Sequence, residues 1–355
     1  MKRIDERLEG LKTYWKSSKA ESKKAERNRL AVLIDMLYYR FKYGFSALDY
    51  QVFGFAHTRD KEARLSYFGA LDWANANYFL NLPKDVEFDF FNKIDVYKLL
   101  KDYYAREVII LDEVGIPKLQ EFMEKNPIFF AKQASNYGGF GIEKLYSKDF
   151  HSAIDLYDYC KKHKLELVEE LIKQHPDVNK LYPLSVNSLR ITTIVDDNKK
   201  VHFIPSILRM GGENMEIDNV SSGGVYVQVD RSGKIVTHGF KEDGEFSLDG
   251  GHLVECHPST GTRFLNYQLP NTDEAYALAE ELALKVPGYR YIGWDIALTE
   301  TGVDLIELNT YAAYDMSQCY YQNASKRGSY DLMAKLVNVD FRSLEDRYKK
   351  VRTNK

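Results

Sequence analysis

The sequence predicts an α+β protein, helical in its N-terminal quarter and built on antiparallel hairpins beyond it, and three observations carry that expectation. Residues 291–310 read Tyr-Ile-Gly-Trp-Asp-Ile-Ala-Leu-Thr-Glu-Thr-Gly-Val-Asp-Leu-Ile-Glu-Leu-Asn-Thr, two β-favouring runs about Glu300, Thr301 and Gly302, as in a three-residue hairpin loop. Residues 185–195 and 201–212 make a second such pair, turned by Asp196, Asp197 and Asn198. From Leu30 to about Phe90, by contrast, the pattern stays helical.

At 355 residues, 44% hydrophobic and 28% charged, the chain has the balance of a soluble globular protein with one large core or two to three smaller ones. A formal charge of -3 lacks the basic excess of a protein made for phosphate backbones, so nucleic acid is not expected as a partner. No apolar run reaches bilayer-spanning length, and the charged first residues do not read as a signal peptide. Cys160, Cys256 and Cys319 stand far apart, which points to a reducing cytoplasm. His252, Cys256 and His257 lack a fourth ligand and are read as coincidence.

Taken in order, residues 1 to about 30 are rich in Lys, Arg and Glu, with Leu8, Leu11, Tyr14 and Trp15 spaced for a weakly amphipathic helix. A solvated helix is the ordinary reading; attachment to anionic lipid or a membrane-bound partner, such as glycosyltransferase machinery, is the functional alternative. Asn92 can cap a helix through Leu100, and Val114-Gly115-Ile116-Pro117 reads as the end of a strand or a turn. Residues 129–133 are a short β run that leads into Gly138, Gly139 and Gly141, whose backbone amides could meet a phosphate without interference from Cβ atoms. The loop has neither the ending of a Walker motif nor the place of a dinucleotide fingerprint. Residues 165–172 read as a strand leaving a helix.

Arg190 and Arg209 lie near the two ends of the 185–212 hairpin, where burial demands an anion: phosphate, a substrate carboxylate or a structural salt bridge. The small-residue loop of Asn219, Ser222 and Gly223 either is a plain turn or holds a transferring phosphoryl group or acid substrate as a preorganised anion site. Residues 257–261 form a lesser substrate-side loop. Asn271 with Glu274 suggests a capping box for a helix whose Ala275, Ala279, Leu282 and Val286 share one face, stopped by Pro287 and Gly288. If Thr299 and Val303 close the last hairpin, Ile296 faces Ile306, Trp294 faces Leu308, and Asp295 faces Glu307, with Asn309 on the same face. Opposed carboxylates repel, and Asp295, Glu307 and Asn309 offer the all-oxygen ligand set of a hard ion such as Mg2+; a solvated edge with its acids outward is the alternative.

With Gly-Trp-Asp-Ile-Ala-Leu-Thr followed by Leu-Ile-Glu-Leu-Asn, the hairpin resembles the metal-binding end of the ATP-grasp fold, in the group associated with sugar transfer and surface-polysaccharide genes. D-alanyl-D-alanine ligase-like carboxylate-amine ligases are a more distant likeness. The resemblance spans roughly Tyr43 to Leu336, from a helical lead-in at Tyr43-Gly44-Phe45-Ser46 onward. It implies a helical region over 1–90, an ATP-grasp domain over 91–335 with a flap at about 125–170 and a catalytic lobe at about 171–335, and a C-terminal helix or tail over 336–355. It further implies that Lys93 and Lys132 reach the nucleotide phosphates and that the glycine loop folds over ATP. Glu169, Glu170 and Leu171 then supply the hinge that meets adenine and ribose. One or two Mg2+ ions, or Mn2+ in their place, sit on Asp295, Glu307 and Asn309. Gln133 stands where many members have Pro after the Lys. Tyr311-Ala312-Ala313 stands where most have Pro-Gly, although Asp315 and Gln318 keep the group's wording.

The reaction so implied is ATP-dependent ligation of a small carboxylate, a sugar acid or amino acid, to an amine through an acyl phosphate, with Arg190, Arg209, Asn219 and Ser222 on the substrate side. A phosphotransferase and a non-catalytic nucleotide-binding regulator are the alternatives.

Overall fold

The computed structural model describes residues 2–81, 90–135, 141–215, 220, 223–243 and 250–344, the side chains of 2–9, 11 and 344 excepted. The glycine pair Gly138 and Gly139 and the loop residues Asn219 and Ser222 fall outside them.

Five helices come first: α1 (Lys2–Lys24), α2 (Arg29–Tyr43), α3 (Ala47–Val52), α4 (Lys61–Leu65) and α5 (Ala70–Leu80). Their boundaries follow local chemistry. Asn28 accepts from the Leu30 and Ala31 amides to start α2, and Gly44 at φ +78° ends it. Ser46 and Asp49 form the capping box of α3. The acid of α2 points inward, where Asp35 takes both guanidinium nitrogens of Arg64 at 3.0 and 2.9 Å and the Tyr50 hydroxyl at 2.7 Å. Around it Tyr39, Phe45, Phe53, Phe55 and Tyr67 build an aromatic core.

A smaller lobe follows, with α6 (Lys93–Leu100), β1 (Val108–Ile110), α7 (Ile116–Lys125), β2 (Ile128–Lys132), β3 (Ile142–Tyr146), α8 (Ala153–His163) and β4 (Leu167–Glu170). Its antiparallel sheet runs β1-β4-β2-β3, with α7 and α8 packed on one face through Leu119, Phe122, Leu156 and Cys160. Gly115-Ile116-Pro117, read as the end of a strand or a turn, instead opens a helix: Pro117 stands in the first turn of α7, where its missing N–H costs nothing.

The larger lobe holds α9 (Pro176–Leu181), β5 (Ser188–Val195), β6 (Val201–Met210), β7 (Val225–Val229), β8 (Gly239–Glu242), β9 (Gly251–Val254), α10 (Thr272–Lys285), β10 (Tyr291–Thr299), β11 (Gly302–Asn309) and α11 (Tyr330–Val337). Its seven strands run β11-β10-β5-β6-β7-β8-β9, each pair antiparallel. Both faces are covered. Leu189, Leu208, Trp294 and Ile296 pack with α10 on one side. On the other, Ile207, Tyr226 and Phe240 meet the N-terminal aromatic core, while Ile194 and Tyr291 meet α5 and α11. Phe341 is fully buried, and Arg342 reaches Asp72 and the Leu65 and Tyr67 carbonyls, so the start of the C-terminal stretch is tied to the helical layer.

The β10–β11 hairpin keeps the expected pairs Trp294–Leu308 and Asp295–Glu307, although its turn is shorter than expected. Thr299 pairs with Gly302, which leaves a two-residue loop, and a bulge between Asp295 and Ile296 sets Ile296 against Leu305 rather than Ile306. One residue lost from the turn is restored at the bulge. Leu305 therefore enters the core and Ile306 is turned into the cleft. Asn271 is a second correction. It sits at φ +51° without a side-chain cap, and its amide instead donates to the Thr299 and Gly302 carbonyls, bracing the hairpin turn.

Candidate active site

A cleft of about 580 Å³ lies where the two sheets face each other, a size suited to a small molecule. Its wall carries Lys93, Lys132, Glu169, Glu170, Arg190, Arg209, Asp295, Glu307 and Asn309, side chains drawn from α6 and six strands. Leu171 is not among the lining residues, whereas Ile172 is.

At one end, Glu169 is buried on β4 and accepts from Lys132 Nζ at 2.7 Å and from Arg106 at 2.9 and 3.1 Å. Burial alone raises its carboxyl, but Lys132 and Arg106 outweigh it and hold it down at about 2. Arg106 also reaches Asp304 on β11 at 2.7 Å, and so joins the two lobes. Glu169 is thus a bound network member, while Glu170 lines the cleft beside it and its carboxylate accepts the Glu107 amide. Sequence reading missed Arg106, although it stands just ahead of the apolar run of β1, and the reasoning applied to Arg190 would have found it: an arginine led into an apolar strand needs an anion.

At the other end Asp295, 2% exposed, receives three residues. Arg190 grips both its oxygens, the Nη2–Oδ2 bond being 2.8 Å; Arg209 donates at 3.0 Å, and the Asn309 amide at 3.1 Å. Arg209 is itself steadied by the Ser188 hydroxyl at 2.8 Å. Against its burial, the two guanidiniums lower the Asp295 carboxyl below the usual range. The carboxylate of Glu307, directly opposite, forms no hydrogen bond or ion pair with the described residues. Burial and then Asp295 raise its carboxyl, with Lys93 and Lys132 opposing. Lys93 starts α6 behind the Asn92 cap, its amide bonded to the Ala134 carbonyl, and burial pushes its ammonium down.

These donors can be tested against Mg2+. No three His, Cys, Asp or Glu side chains among the described residues gather as a metal group, so the amide of Asn309 is needed beside the two carboxylates. The chemistry fits a hard ion: all donors are oxygen, two carboxylates are opposed, and one of them lacks a bonded counter-charge. Asp295 is the donor already committed.

Near the glycine loop, the Gly141 carbonyl accepts from the Gln133 amide at 2.8 Å and Gly141 takes φ +69°, closing the ends of the segment that contains Gly138 and Gly139. The 257–261 loop is a structural tie: His257 bonds the Gly211 carbonyl and stacks on Tyr182, and Thr260 bonds the Leu181 carbonyl. Gln318 is also a strut, bridging Phe68 and Ser329. Tyr311 and Phe91, both lining the cleft, stack with ring centres 5.7 Å apart.

Residues 132–328 match the family described as sugar-transfer associated ATP-grasp, more than half of the chain. The chain belongs to that family. Membership places the two sheets and the cleft in an ATP-grasp fold and implies ATP binding, while Lys93 and the helical layer lie outside the matched span. No curated protein matches. Among solved structures the chain is similar to D-alanyl-alanine synthetase A from Vibrio cholerae, at 16% identity and TM-score 0.40, over 70% of this chain and 65% of that one. It is also similar to the N5-carboxyaminoimidazole synthetase of Staphylococcus aureus in complex with ADP, at 10% identity and TM-score 0.39, over 64% and 46%. The corresponding synthase of Aspergillus clavatus stands at 13% identity and TM-score 0.37, over 62% and 44%. The chain thus spans under half the length of these last two.

Proposed function

We propose that this ATP-grasp protein is a carboxylate–amine ligase that consumes ATP through an acyl phosphate and amidates a sugar acid or amino acid in surface-polysaccharide assembly. The observation that carries the reading is the convergence of Lys93, Lys132, Arg190 and Arg209 on the cleft that also holds Asp295, Glu307 and Asn309. Lys93 and Lys132 neutralise phosphate oxygens along the nucleotide, as phosphoryl transfer requires more charge balance and alignment than covalent help. Arg190 and Arg209 exchange Asp295 for the transferring phosphoryl group or the substrate carboxylate, which their planar forks suit. Glu307 and Asn309, with Asp295 once released, would hold Mg2+, which supplies charge neutralisation at the phosphates when bound. The substrate carboxylate attacks the γ-phosphorus, ADP departs, and the amine displaces phosphate from the acyl carbon. The glycine segment keeps water from the acyl phosphate.

The chain incubated with Mg-ATP, a pool of uronic and amino acids, and amines should form ADP only when a carboxylate is present. Hydroxylamine in place of the amine should give a hydroxamate, and oxygen-18 in the carboxylate should appear in released phosphate. A stable phosphorylated product without label transfer would make it a phosphotransferase, and AMP with pyrophosphate would exclude the mechanism.

A further inference from the structure

The helical layer has an outer face that the cleft does not use. Along α2 the buried residues are Val32, Met36 and Tyr39, and the opposite side shows Leu30 and Ile34 at 60% exposure, Tyr38 at 46% and Phe41 at 83%. These four follow one side of the helix for about 16 Å. On α1, Lys12, Lys16, Lys19 and Lys23 repeat at the same helical spacing and are exposed, with Trp15 exposed among them. Arg29 joins the helices: its guanidinium lies 3.6 Å from the centre of the Trp15 ring and donates to the Trp15 carbonyl and the Ser18 hydroxyl.

Along residues 12–24 and 29–43 the exposed charges are of one sign, with the exposed Glu26 in the turn between the helices. Residues 12–24 and 29–43 contain two acids, and both are turned away: Glu21 is 1% exposed, and Asp35 is held by Arg64 and Tyr50. The four lysines of α1 stand exposed with Arg40 and Lys42 of α2, on a chain whose overall formal charge is -3. Apolar side chains left in water between cations ask for a cover that is apolar in depth and anionic at its surface. A second copy of the same face brings like charges together.

We propose that the α1–α2 face seats on an anionic lipid bilayer, with Leu30, Ile34 and Phe41 entering the headgroup boundary, Trp15 and Tyr38 at its level, and the lysines against lipid phosphate. No helix among the described residues is long and apolar enough to cross a membrane, so this is attachment in the plane of the surface.

The full chain should co-sediment with vesicles of phosphatidylglycerol and phosphatidylcholine, and hardly at all with phosphatidylcholine alone. Raising salt from about 0.1 to about 0.5 M should weaken the binding by about tenfold or more, since the attraction is screened. Lys16→Glu with Lys19→Glu, and separately Ile34→Asp with Phe41→Asp, should each reduce binding by about tenfold or more while ATP-dependent ADP formation in solution stays unchanged, which shows that the variants fold. Absence of binding to the anionic vesicles, or binding that both variants leave intact, overturns the proposal. So does a concentration-dependent dimer, seen by light scattering and lost on Phe41→Asp, in a chain that ignores vesicles; the face would then belong to a second copy.

Discussion

At one end of the cleft Glu169 lies between Lys132 and Arg106, and at the other Asp295 lies between Arg190 and Arg209. Each end has two cations and two carboxylates, since Asp304 joins the first and Glu307 the second. The contacts differ where the counts do not. Arg106 divides itself between Glu169 and Asp304, so every charge there has a bonded partner. Both arginines of the second end converge on Asp295, and the Glu307 carboxylate faces it across the ladder without a bond to the described residues. The first arrangement is a finished tie between lobes. The second has a carboxylate and two cations whose present pairing can be exchanged, as binding a metal and a polyphosphate requires.

The comparison breaks first at Arg106. Arg106→Met should cost about 3–5 kcal/mol of stability, because it strands Asp304 as a buried acid between the lobes and leaves the buried Glu169 with Lys132 as its remaining ion-pair partner. A urea titration should show the loss directly. A cost below about 1 kcal/mol would mean the network is not the tie described here.

Glu307→Gln should do the opposite. With one of two opposed carboxylates neutralised, the ligand-free chain should melt at the same temperature or higher, while ADP formation falls about a thousand-fold or more through loss of a cation donor. Turnover at the wild-type rate would remove Glu307 from the site.

Much of this second end was legible in the chain; of the first, Lys132 and Glu169 were named through the family resemblance, but their network with Arg106 was not. Asp295, Glu307 and Asn309 lie on one hairpin, so strand alternation alone sets them together, and the offsetting turn and bulge left that register intact. Arg190 is brought to Asp295 by β5 pairing with β10, a contact across more than a hundred residues that local pattern cannot show. Arg106 lies just ahead of β1, while Glu169 and Asp304 stand on strands of different sheets, and nothing local announces their meeting. Asn271 was misread for a related reason: its signal is that of a cap, but the hairpin carbonyls that claim its amide are about thirty residues away.

Acid should test the first end next. Glu169 has its carboxyl lowered to about 2 from an unfolded value near 4.3, so its contribution is fully present above that value and is lost as pH falls toward about 2. The loss is on the order of 3 kcal/mol. Unfolding midpoints of the wild type and Glu169→Gln, followed from pH 6 to pH 2, should therefore converge in acid. A constant difference would place the benefit of Glu169 in packing rather than in charge.

The smallest effect belongs to the turn at the far end of the hairpin that carries the second end. Asn271 combines a left-handed backbone at φ +51° with two hydrogen bonds to the carbonyls of Thr299 and Gly302, at 2.7 and 3.2 Å. Asn271→Ala removes both bonds and keeps a Cβ at an unfavourable φ, and should cost about 1–2 kcal/mol. Asn271→Gly removes the same bonds but relieves the backbone, so it should cost less than the alanine variant while remaining below wild type. The bonds hold the far end of the hairpin, and the bulge and the Asp295 ion pairs lie between them and the cleft. ATP affinity, read by calorimetry, should therefore stay unchanged in both variants. A glycine variant as stable as wild type would show that the bonds contribute nothing, and a fall in ATP affinity would show that the turn sets the position of Asp295 and Glu307 after all.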